Sequence, residues 1–271
     1  MSLQPRSSTV RMQPEQPGLE PKTYDGGGGP AVPSIGAEAV RVADALSSTS
    51  ARLIGGVAVW YVCPSARREH FARQYEDIDV AVEAKDRGEL KRVVGQLGFQ
   101  PNAQFNALQG ARRQLYWKGD LKLDVFVDRF EMCLNLDLRG RLALVDRVLN
   151  PTDLLLTKLQ IVQLTWKDVQ DAMALLADCE LGESDRASEI NLGRIAAICA
   201  RDWGWWATLT DNIDRLLGHV PSFGPDAVRL QAQLGRLREA THERPRSLAW
   251  RMRDKVGRRK AWYRLPDEIE G

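Results

Sequence analysis

The stretch Asp77-Ile78-Asp79-Val80-Ala81-Val82 decides how this chain is read. Its first residues alternate polar and apolar, the period of a half-buried strand, so Asp77 and Asp79 project from one face while Ile78, Val80 and Val82 project into a core behind them. Two carboxylates therefore sit side by side. Toward the N-terminus, Gly55-Gly56 follows the short apolar run Leu53-Ile54 and opens the apolar stretch Val57 to Val62, a pattern that predicts a short strand, a glycine turn and a buried helix. Earlier still, Ala39, Val42, Ala43 and Leu46 fall at helical spacing. Past the acid pair, the charged segment Pro64 to Arg73 lies behind as a loop, and ahead Leu90, Val93, Val94 and Leu97 share a helical face that Gly98 is placed to cap. Strands are predicted at Arg113 to Lys118 and Leu121 to Val127, joined by a hairpin turn at Gly119-Asp120, and a last one around Arg141 to Val145.

On the strand Leu121 to Val127, Asp124 takes the face opposite Leu123, Val125 and Val127, a single acid inside an apolar run. Carboxylates about 4 Å apart repel by roughly 4 kcal/mol at an effective dielectric near 20. Three converging acids, Asp77, Asp79 and Asp124, thus require a cation or protonation to coexist. Magnesium suits them, because it takes carboxylate oxygens together with substrate phosphates, and a pair of such ions can activate a hydroxyl while neutralising pyrophosphate. Gly55 and Gly56 would let the backbone approach phosphates, with the N–H groups of the following helix aimed at them. Each feature has a plainer reading taken singly: a tight turn, an exposed edge strand, a locally paired acid. Their order along the chain favours a catalytic one.

The order IGGVAVWYV (54–62), EDIDVAV (76–82) and LKLDVFV (121–127) resembles the nucleotidyltransferase superfamily of the DNA polymerase β type, with its hG[GS] turn, Dh[DE]h strand and third acid. The continuation LNPTDLLLTKLQIVQLTWKDVQDAMALL (149–176) is similar to the segment after that core in AbiEii-type toxin-like nucleotidyltransferases, where a lysine on one helix precedes a KDxxD on the next. The resemblance spans roughly residues 36 to 178. It implies an α+β fold, a mixed sheet flanked by helices and followed by an α-helical extension. It also implies a magnesium-dependent enzyme that moves a nucleoside monophosphate from an NTP to an acceptor hydroxyl and releases pyrophosphate. Carried over by position, Gly55 and Gly56 hold the phosphates, Asp77 and Asp79 bind metal, and Asp124 is metal ligand or base. Lys158, Lys167 and Asp168 fall on the nucleotide side. Two departures stand out: Gly56 replaces the serine of many relatives, and the interval from Gly56 to Asp77 is long, implying an inserted loop.

A toxin-like enzyme would modify a tRNA 3′ end or a protein hydroxyl and could pair with an antitoxin. The alternatives are a small-molecule acceptor, as in antibiotic nucleotidyltransferases, and a catalytically degenerate binding module. From its own neighbours Leu154, Leu155, Ile161 and Val162, Lys158 either snorkels to the surface or reaches a phosphate. Lys167, Asp168 and Asp171 could line the site, while Asp168 and Asp171 at the helix start also fit compensation of its dipole. Arg112 and Arg113 read equally as phosphate contacts or a solvated strand end.

Residues 1–34, rich in proline, glycine, serine and glutamine, read as a disordered tail. Residues 35–150 form the core, and 151–271 a helical domain with helices near 152–164, 166–178, 190–201, 203–217, 225–240 and 247–259. Trp203, Trp205 and Trp206 could stack bases, though core packing is the commoner fate of such residues. The run from Arg244 to Arg264 is basic, an RNA contact or a solvated terminal helix. Across 271 residues, 38 lysines and arginines face 36 aspartates and glutamates, so net charge selects no partner. Cys63, Cys133, Cys179 and Cys199 form no CxxC pair and read as reduced core residues, and the three histidines lack zinc-ligand spacing. Without an apolar leader or an 18-residue apolar run, the sequence reads as cytoplasmic and without a membrane partner.

Overall fold

The computed structural model describes residues 32–265. The expected tail lies outside the described residues except for 32–34, which open the first helix. Helix α1 (Val32–Ala45) leads to strand β1 (Arg52–Ile54), and helix α2 (Gly55–Val62) begins directly at the glycine pair. Gly55 makes the junction with φ +68°, a backbone conformation that side chains disfavour. Strand β2 (Asp77–Val82), helix α3 (Arg87–Gln96), the two-residue β3 (Gln100–Pro101), helix α4 (Ala103–Gln109), strand β4 (Arg113–Lys118) and strand β5 (Leu121–Val127) complete the first unit. As expected, Gly98 (φ +90°) follows α3, and Gly119 (φ +58°) turns the β4–β5 hairpin.

These strands form one mixed sheet in the order β1-β2-β5-β4-β3. The central pair β2–β5 is parallel and the other pairs are antiparallel. In the parallel register Asp77 stands opposite Lys122 and Asp79 opposite Asp124, so all four share the face opposite Ile78, Val80, Leu123 and Val125. Those four apolar residues are wholly buried. The alternation read from sequence is thus what divides the sheet into a core face and an acid-bearing face.

The strand expected at Arg141 to Val145 does not form. That segment is a series of turns, and Arg147 with φ +65° breaks extended backbone just beyond it. The edge of β1 is covered instead by residues 147–149: Leu53 N–H donates to the Arg147 carbonyl and Leu149 N–H to the Leu53 carbonyl, at 2.8 and 2.9 Å. A small ribbon of β6 (Arg129–Glu131) and β7 (Asn135–Asp137) precedes this segment.

The second half is mainly helical: α5 (Pro151–Leu159), α6 (Trp166–Asp178), α7 (Leu192–Arg201), α8 (Trp203–His219), α9 (Ala227–Ala240) and α10 (Leu248–Val256). Helix α5 stops at Leu159, five residues before its expected end, and the buried Gln160 side chain that follows accepts the Leu134 N–H. Helix α6 opens on a capping box between Thr165 and Asp168. The half is not purely helical: β8 (Glu180–Gly182) and β9 (Glu189–Asn191) form a short parallel ribbon. α5 and α6 pack against α2, and one apolar core runs through both halves. All four cysteines are free and buried, and Trp203 and Trp205 pack inside.

Candidate active site

Three elements bring the glycine turn and the acids together. Because α2 starts at the end of β1, and Ile54 of β1 pairs with Asp79, the first turn of α2 is laid over the acid-bearing face of β2. A Cβ at Gly55 would collide with Asp79 Oδ2. Glycine is therefore required there twice over, by the positive φ and by the carboxylate packed against it. Ile54 offers the start of α2 no side-chain cap, so the positive end of the helix meets Asp79.

Two of the three acids are met by basic side chains from the neighbouring strands. Lys122 Nζ lies 2.9 Å from Asp77 Oδ2. Arg113 grips both oxygens of Asp124, its Nε donating to Oδ1 at 2.8 Å and its Nη2 to Oδ2, while its guanidinium lies over the Phe126 ring. Arg113 is thus neither a phosphate contact nor a solvated strand end. It neutralises the acid that the sequence leaves unpaired inside an apolar strand. Asp79, between the other two, has no such partner. Removal from water, then repulsion by Asp77 and Asp124, pushes its carboxyl well above the ordinary carboxylate range, against the pull of Lys158 and Lys122.

The three carboxylates do not converge as a ligand set. Among the described residues no three aspartate, glutamate, histidine or cysteine side chains stand together as a metal-binding group, and Arg113 bonds both oxygens of Asp124. The pair Asp77 and Asp79 still matches what magnesium asks of a protein, one or two carboxylates beside substrate phosphates. The raised Asp79 carboxyl marks the spot where a cation would relieve repulsion.

A second charged cluster faces the glycine turn from α5 and α6. Lys158 Nζ is 2.8 Å from Asp171 Oδ2 and 3.6 Å from Asp168 Oδ1, so it neither snorkels to solvent nor stands free. Asp168 closes the capping box of α6, which confirms its helix-start role. Lys167 pairs with Glu76, the residue before Asp77, at 2.9 Å. Arg112 is exposed, 3.9 Å from Glu131. Sequence reasoning missed Arg73, whose Nε and Nη2 donate to the two oxygens of buried Asp171 at 2.7 and 2.8 Å. A Cβ at Gly56 would collide with its Nη2. Both glycines are buried, beneath Asp79 and Arg73.

A cavity of about 730 Å³ lies elsewhere, between α7, α9 and the β8–β9 ribbon, and none of these acids lines it. No helix among the described residues is long and apolar enough to cross a membrane.

No protein-family model matches the chain, and no curated protein does. Among solved structures the chain is similar to the solution structure of the antibiotic-resistance factor ANT(2'')-Ia, at 18% identity and a TM-score of 0.34, over 52% of this chain and 80% of that one.

Proposed function

We propose that the chain is a nucleotidyltransferase that moves a nucleoside monophosphate from an NTP to an acceptor hydroxyl. The observation that carries this reading is the junction of the two motifs: the Asp79 carboxylate fills the space left by the missing side chain of Gly55, at the first turn of α2. Acid pair and helix start are one site. Asp77 and Asp79 would hold magnesium, which when bound neutralises the triphosphate and the leaving pyrophosphate. The uncapped start of α2 presents positive charge to the phosphates. As the acceptor oxygen attacks the α-phosphorus and the bond to pyrophosphate breaks, Asp124 takes the hydroxyl proton, with Arg113 holding it in place. Asp124 serves as base or as a further metal ligand in this reading, since each of its oxygens keeps a lone pair beyond the one that Arg113 engages.

The acceptor we propose is RNA, a tRNA 3′ end in particular, with a protein hydroxyl second. Arg244, Arg251, Lys255, Arg259, Lys260 and Arg264 expose a basic surface along and around α10, suited to phosphates. A toxin-like enzyme of this kind would be held in check by an antitoxin partner. The test incubates the protein with each labelled NTP, magnesium, and in turn total RNA, soluble protein and cationic hydroxylated antibiotics. Label should enter RNA or protein, and disappear on chelation and in Asp77→Ala/Asp79→Ala. Equal labelling by wild type and the double variant overturns the reading, and label only in the antibiotic moves the acceptor to small molecules.

A further inference from the structure

We infer that Arg73 is the polyphosphate-binding residue of this site, standing where a hydroxyl at position 56 would otherwise reach the phosphates; the inference rests on the nucleotidyl-transfer reading. The segment from Pro64 to Glu76 is no loose loop. It is laid along α6 and fastened at four successive points. Ser65 N–H donates to Asp178 at 2.7 Å, Gln170 Nε2 to the Ala72 carbonyl at 2.9 Å, Arg73 to Asp171, and Lys167 meets Glu76 at 2.9 Å. The strap runs antiparallel to the helix, from its last turn to its first, and delivers Arg73 onto Gly56.

The electrostatics of that position call for an anion. The guanidinium lies against the start of α2, the positive end of a helix, where a cation is normally disfavoured. Lys158 shares the same carboxylate, Asp171. Two cations and a helix start thus meet at one doubly engaged acid, Asp171, with Asp168 capping α6 and lying 3.6 Å from Lys158. Arg73 also retains donors. Of the five N–H groups of a guanidinium, three are used, two on Asp171 and one from Nη1 to the Gln74 carbonyl at 2.8 Å. That leaves one on each terminal nitrogen, the geometry that grips phosphate oxygens. Beneath it, 4.3 Å away, lies the ring of Tyr75, whose buried hydroxyl has no hydrogen-bond partner. Gly56 is what admits this arrangement. Any side chain there would displace the guanidinium, so the missing hydroxyl and the long insertion are two halves of one substitution.

Calorimetric titration of the full chain with inorganic tripolyphosphate, without metal, tests this. Wild type should bind, and Arg73→Gln should bind at least tenfold more weakly. Unchanged affinity in a folded Arg73→Gln, or no binding by wild type, overturns the inference. Should Arg73→Gln fail to fold, Gly56→Ala keeps the Arg73–Asp171 pair and only pushes the guanidinium off the turn; unchanged affinity there is equally fatal. Transfer assays separate the two readings. Arg73-dependent tripolyphosphate binding without any transfer rejects the enzyme and retains Arg73, whereas transfer with an NTP KM unchanged in Arg73→Gln rejects Arg73 and retains the enzyme.

Discussion

Asp79 and Asp171 are two aspartates on opposite walls of the same site, and their surroundings drive them in opposite directions. Asp79 keeps company with Asp77 and Asp124, and its carboxyl is pushed up by desolvation and by those two charges. Asp171 is still more enclosed, 1% exposed, and burial alone would raise it too; Lys158 and Arg73, both within 2.8 Å, reverse the sign and hold it below the usual range. One wall is short of positive charge, while on the other Arg73 and Lys158 are balanced by Asp171 and Asp168. In the proposed reading a metal–triphosphate complex would bring a cation to Asp79 and phosphate oxygens to the remaining donors of Arg73.

The comparison breaks most visibly at Asp171. Replacing it with asparagine leaves Arg73 without its carboxylate and Lys158 with only the more distant Asp168, and urea titration should show a loss of about 3–5 kcal/mol, the cost of breaking a buried ion pair. Next comes Gly55→Ala, which strains a backbone at φ +68° and drives a methyl into the Asp79 carboxylate. The same measurement should give about 1–3 kcal/mol, with loss of any magnesium-dependent NTP binding. A folded, fully stable Gly55→Ala would separate the turn from the acid pair.

Asp79→Asn sharpens the contrast through its pH dependence. The folded chain holds the Asp79 proton more tightly than the unfolded chain, so the stability it contributes is present in acid and lost as pH rises through its raised value. Asparagine should therefore raise the thermal midpoint at neutral pH, with the gain fading in acid. Asp171 is the mirror case: its contribution is present above the ordinary aspartate range and lost as pH falls through its depressed value. If the thermal midpoints of Asp79→Asn and wild type kept a constant gap across pH, the charge deficit assigned to that wall would be wrong. The smallest effect belongs to Lys122→Ala. Its partly exposed pair with Asp77 is worth about 0–1 kcal/mol, yet its removal should tighten magnesium binding by freeing Asp77, as calorimetry would register.

Much of the first half was legible because it depends on local period. The β2 alternation, the apolar frame around Asp124, the glycine turn, the Gly119-Asp120 hairpin and the α3 face all follow from spacing along the chain. The strand expected at Arg141 to Val145 failed because a positive φ at Arg147 leaves no periodic trace. The β8–β9 ribbon was missed since its three-residue strands are too short to show alternation. Helix α6 was legible in its extent, 166–178, while its Thr165–Asp168 capping box emerged only with the structure.

What the sequence by itself determined was which side chains share a face of a strand or helix, because that is decided within a few residues. Tertiary structure alone decided which charges meet. Lys122 neutralises Asp77 only through the parallel register of β2 and β5. Arg73 reaches Asp171 across 98 residues, and reaches Gly56 only because the strap between them is fastened to α6. Ion pairing acts over a few ångströms of space irrespective of chain distance, so the acids could be read from the sequence and their partners could not.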